Sequence, residues 1–181
     1  MTLVFGLALG VAVPTAPAFA APFDDQTCPN VNDAGRRFNA LVDASGVLGP
    51  DLVAAAQAMV DGYRACVKGY DDNVYNQPEA AGQQHTNATA VGRIYARLGL
   101  ARSLERVGRF AADEKRYADA KAAYDEAIKR IDEMKTIPSL EAMGPVGGDS
   151  PEHRLIVKGD DLRAKIVAAE AALPPAPAAT P

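Results

Sequence analysis

Tryptophan is missing from this chain, and cysteine and histidine occur only twice each. Aromatic residues make up 6% of the sequence, so a core has to be assembled mainly from Ala, Val, Leu and Ile. The two thiols and two imidazoles are scattered along the chain, without the short Cys–Cys and His–His spacings of a structural zinc site. There is no C-x-x-C redox motif and no C-x-x-C-H for haem attachment. Gly-Lys-Ser/Thr is also lacking, so the glycines near the C-terminus read as a plain loop rather than a phosphate cradle. Nor is there a basic excess. With 19 Lys and Arg against 23 Asp and Glu, the formal charge of −4 argues against a nucleic-acid binder, which shows a basic face. No cofactor is implied.

Charge is absent altogether from residues 1–20. An apolar run from Leu3 to Val13 leads to Pro14 and then to Ala18-Phe19-Ala20, the layout of a secretory signal peptide cleaved after Ala20. No Lys or Arg precedes the run, a departure from the usual basic n-region. The run is shorter than the roughly 20 apolar residues a membrane-spanning helix needs, and Pro14 and Pro17 interrupt any extension. The expectation is an exported protein, periplasmic or secreted, without a membrane span once the signal is removed. In an oxidising compartment Cys28 and Cys66 most simply form one disulfide.

What the sequence does have is helical periodicity. After an extended leader over 21–30, a single all-α domain is expected over 31–173, with a disordered Pro- and Ala-rich tail over 174–181. Helices are predicted over 33–45, 51–70, 89–110 and 115–135, with a fifth running from Pro151 to Leu173. In the first, Ala34, Phe38, Leu41 and Val42 share a side. In the second, Leu52, Ala56, Met59, Tyr63, Cys66 and Tyr70 recur at steps of three and four, which turns Cys66 inward. The third carries two apolar rows, Val91-Ile94-Leu98-Ala101 and Leu100-Leu104-Val107-Ala111, as expected of a helix sandwiched between neighbours. The fourth turns Tyr117, Ala120, Tyr124, Ala127, Ile128 and Ile131 inward, with Asp125–Lys129 and Glu126–Arg130 as outer pairs. Ser150-Pro151-Glu152 reads as an N-cap with proline at the first helical position. The fifth presents Leu155, Gly159, Leu162, Ile166, Ala169 and Leu173 as its inner row. Together these give an antiparallel bundle of about five helices.

Leu104, Gly108, Tyr117, Ala120, Tyr124 and Ala127 are spaced like signature positions of the tetratricopeptide repeat. In a second register Leu100, Ala101, Leu104, Val107, Gly108 and Phe110 match the first helix and turn of such a unit, and seven extra residues precede Tyr117. Seven residues are about two helical turns, so both registers present similar faces. Residues 98–137 therefore resemble one tetratricopeptide hairpin with a lengthened first helix. The usual proline after the second helix is displaced to Pro138, and no second copy is visible. The resemblance implies a helical surface for protein partners.

Two further features bear on function. Gly92, Ala96, Gly99 and Ser103 line up on one stripe of the third helix; either another helix approaches closely there, or the stripe leaves a groove for a ligand. The same helix is rich in arginine. Arg93 and Arg97 lie on one side, and Arg102, Arg106 and Arg109 nearly opposite. Such arginines either pair with acids on adjacent helices, such as Asp119 or Glu133, or dock a carboxylate or acidic peptide bidentately. Catalytic constellations are thin. His85 and His153 have no nucleophile or carboxylate motif beside them, Asp71-Asp72-Asn73 lacks the spaced oxygens of a calcium loop, and Asn87-Ala88-Thr89 is a glycosylation sequon only in a eukaryotic host. The expected function is an exported, non-enzymatic interaction domain binding an unidentified protein or acidic peptide. The alternative is a periplasmic protein binding a small ligand in the stripe beside Tyr95 and Tyr124, with an enzyme third.

Overall fold

The computed structural model describes residues 25–45, 48–72, 87–137 and 150–175. The expected signal peptide, His85, Asn73, the glycine loop before Ser150 and the chain beyond Pro175 lie outside these residues. Within them all regular structure is helical. A 3-10 turn at Pro29–Val31 leads into α1 (Asn32–Ser45), followed by α2 (Pro50–Asp71), α3 (Asn87–Asp113), α4 (Tyr117–Met134) and α5 (Pro151–Ala171). The predicted helices thus all occur, with no end moved by more than three residues. Pro50, one residue before the predicted start, opens α2 at its first turn, where its missing N–H is not needed. Ser150 caps α5 as its position suggests, its Oγ accepting the His153 backbone N–H at 3.0 Å.

Cross-helix contacts show the directions. Tyr63 faces Gly99 while Tyr70 faces Gly92, so α2 and α3 run antiparallel. Tyr124 faces Gly108 while Glu133 faces Arg97, which makes α3 and α4 antiparallel as well. Arg163 meets Asp132 while Lys121 meets Glu170, and α5 returns along α4. Helix α3 lies in the middle, and both of its apolar rows are used: Ile94, Leu98, Ala101, Leu100, Leu104 and Ala111 are all buried. One continuous core joins these to α2 and α4 and to Ile166 of α5.

The α3–α4 connection is a Schellman turn. Arg116 N–H bonds to Ala111 C=O at 2.8 Å and Lys115 N–H to Ala112 C=O at 2.9 Å. Lys115 holds the left-handed position usually given to glycine, with φ 62°. Along α5 the covered positions fall on a narrow seam through Leu155, Gly159, Leu162, Ile166 and Ala169, a seven-residue spacing typical of helices that pack side by side. Gly159 admits the Met134 methyl group, 3.0 Å from where a Cβ would stand.

The expected bridge is present. Cys28 is bonded to Cys66 with the Cα atoms 5.5 Å apart, and neither cysteine is exposed. It pins the leader segment to the inward face of α2. No helix among the described residues is long and apolar enough to cross a membrane. Two local expectations change. Val42 is 42% exposed rather than facing in, since α1 packs through Phe38. Asp125 pairs with Lys121 at 3.1 Å instead of Lys129.

Candidate functional site

The arginines of α3 separate into two sets. Those on one side are consumed by the fold. Arg93 donates to the Tyr70 carbonyl at 3.1 Å, near the end of α2. Arg97, only 8% exposed, holds Asp71 through Nη2 at 2.7 and 2.9 Å and has Glu133 3.4 Å from its Nε. Glu133 also accepts from Arg130 at 3.0 Å, while Glu126 sits between Arg130 at 3.5 Å and Arg64 at 2.6 Å. This chain of charges laces α2, α3 and α4 together. The bond to Glu126 holds Arg64 above its ordinary pKa, and the same bond holds Glu126 below its usual carboxylate value. Asp119, the other acid considered for this role, pairs with Arg116.

Arg102, Arg106 and Arg109 have no carboxylate at ion-pair distance among the described residues; the nearby Glu105 acts on Arg106 only through its field. Arg102 and Arg109 are exposed. Arg106 is half-buried, with its guanidinium carbon 5.2 Å from the centre of the Phe38 ring on α1. Arg109 lies 5.8 Å from the Phe110 ring. Burial pushes the pKa of Arg106 down, with the positive charges of Arg109 and Arg102 acting the same way. An arginine nevertheless remains a cation at neutral pH.

Beside this stripe lies a buried acid. Asp25 is 5% exposed, its Oδ1 accepting from the Cys28 backbone N–H at 2.8 Å and its Oδ2 from the Tyr63 hydroxyl at 3.0 Å. Its own N–H donates to Asn32 Oδ1 at 2.7 Å. Burial first, then the Asp25 charge, pushes Tyr63 well above the ordinary tyrosine value and raises Tyr95, while Arg102 pulls Tyr95 the other way. Asp25 is thus satisfied by the leader and α2 rather than by the arginines.

The stripe of Gly92, Ala96, Gly99 and Ser103 is buried and filled by the protein's own side chains. A Cβ on Gly92 would lie 2.4 Å from the Tyr70 hydroxyl, and one on Gly99 2.3 Å from the Tyr63 ring. Ser103 turns its hydroxyl back to the Gly99 carbonyl at 3.0 Å. Among the described residues, the close approach that Gly92 and Gly99 allow is taken up by tyrosines from α2 rather than left as a groove. Tyr124 fills the space beside Gly108 in the same way. A separate open depression of about 1100 Å³ lies between the start of α4 and the end of α5, bordered by Tyr117, Lys121, Leu173 and Pro175. No group of three or more His, Cys, Asp or Glu able to hold a metal occurs among the described residues. His153 contributes only its backbone N–H, to the α5 cap; Asp71 is paired with Arg97 and Asp72 with Lys68.

Sequence reasoning overlooks Asp25, read only as part of a polar leader. Its one signal is proximity to Cys28, since a bridge that anchors the leader carries its neighbours into the core. Phe38 is legible as an inward residue of α1, but not as the ring beneath Arg106.

No family model, curated protein or solved structure matches the chain.

Proposed function

We propose that this is an exported, non-enzymatic interaction domain whose α3–α4 hairpin is of the tetratricopeptide type and which engages an acidic partner through α3. The observation that carries the reading is the division of the α3 arginines. Arg93 and Arg97 are committed to the Tyr70 carbonyl and to acids of the fold, whereas Arg102, Arg106 and Arg109 have no acid at ion-pair distance among the described residues. An arginine engaged in the fold is explained by stability. Three others on one helix face, left without acids in a chain with an excess of acidic residues, are explained better by an anionic partner. The seating of Tyr124 on Gly108, two positions that carry the repeat resemblance, supports the hairpin type. Export is supported by the buried Cys28–Cys66 bridge, a bond typical of oxidising compartments, and by the apolar segment ending at Ala18-Phe19-Ala20.

The test is affinity capture from the native compartment with the mature chain and with Arg102→Gln/Arg106→Gln, followed by mass spectrometry. The double variant should lose a protein that the wild type retains, with the circular dichroism of the two superimposable. Identical captures by the two proteins would refute the reading.

A further inference from the structure

Arg106 differs from its two neighbours in being half-buried. Placed over the Phe38 ring, it is partly stripped of water, yet no carboxylate of the fold lies at ion-pair distance from it among the described residues. A desolvated guanidinium in a fixed orientation binds a carboxylate with less conformational loss than a free surface arginine does. Arg102 and Arg109 flank it on the same face. Along the helix axis Arg102 lies about 6 Å and Arg109 about 4.5 Å from Arg106, at 1.5 Å per residue. In an extended strand, alternate side chains point the same way and stand about 6.6–6.8 Å apart.

We infer that Arg106 anchors one carboxylate of an extended acidic segment of a partner protein, while Arg102 or Arg109 takes a second carboxylate two residues away. This rests on the interaction reading above and supplies its chemistry. Three arginines spanning about 10.5 Å match two or three alternating acids. A long polyanion such as duplex DNA would run beyond the stripe onto a molecule with net negative charge. Asp25 and Glu105 do not pre-empt the site: Asp25 is occupied by Tyr63 and the Cys28 N–H, and Glu105 forms no ion pair with the stripe among the described residues.

Fluorescence anisotropy tests this with a labelled peptide, Gly-Ser-Glu-Gly-Glu-Gly-Glu-Gly-Ser, on the disulfide-bonded mature chain. Its Glu-to-Gln counterpart and a labelled DNA duplex serve as comparisons. The acidic peptide should bind at least tenfold more tightly than the Gln form and more tightly than DNA. Arg106→Gln and Arg106→Lys should each weaken it about tenfold, because the lysine keeps the charge but loses the planar stacked fork. Arg102→Lys should cost less than threefold. Equal binding of the acidic and Gln peptides, full affinity in Arg106→Lys, or preference for DNA would each overturn the proposal. If the acidic peptide fails while Arg102→Gln/Arg106→Gln still abolishes partner capture, the carboxylate pairing is wrong and the interaction reading stands. If both fail, both fall.

Discussion

Tyr63 Cε1 lies 2.3 Å from where a side chain on Gly99 would begin. The neighbour is a buried ring whose hydroxyl is engaged by Asp25, so it cannot swing aside without giving up that bond. Gly99→Ala therefore gains helix propensity, worth up to about 1 kcal/mol, and loses more through overpacking, which typically costs about 1–3 kcal/mol. A net loss of stability is expected in urea unfolding. Gly49→Ala is the control, as nothing lies within 4 Å of a Cβ there. If Gly99→Ala is the more stable of the two, the tyrosine does not fill that space. The sequence announces that these glycines need a reason, but not which one. A tyrosine from another helix and a bound ligand ask for the same absence of a side chain.

At the scale of elements, the hairpin between α3 and α4 shows a local rule broken. A Schellman turn favours glycine at its left-handed position, and Lys115 stands there with φ 62°. For a residue with a Cβ that conformation costs about 1–2 kcal/mol, part of which glycine returns to the unfolded chain as entropy. Lys115→Gly should therefore stabilise the protein by about 0.5–1 kcal/mol, read as a rise in the urea midpoint with an unchanged slope. A fall in the midpoint would mean that the Lys115 side chain matters more than its backbone. Helix boundaries were largely legible because periodicity, a proline at the first turn and a serine cap are local signals, as Ser150 and Pro151 show. Which acid each helix offers its neighbour was not. Asp125 chooses Lys121 over Lys129, both four residues away, and Glu126 reaches across to Arg64 on a helix distant in sequence.

For the molecule as a whole, the bridge between Cys28 and Cys66 joins positions 38 apart, closing the 3-10 turn, α1 and most of α2 into one loop. Loop-closure entropy for that length amounts to about 4 kcal/mol at 25 °C. The double replacement Cys28→Ala/Cys66→Ala should lower unfolding free energy by about that amount in urea titration. A loss below about 1 kcal/mol would show that the leader stays docked through Asp25, Tyr63 and Asn32 alone.

The all-helical class and the inward rows of α2, α3 and α5 follow from composition and period, because each is a property of consecutive residues, and two cysteines allow only one pairing within the chain. The split among the α3 arginines does not. Arg97 and Arg106 look alike along the chain, and only the packing of α2 and α4 against one and Phe38 beneath the other separates a cation held by acids from one with no acid at ion-pair distance among the described residues.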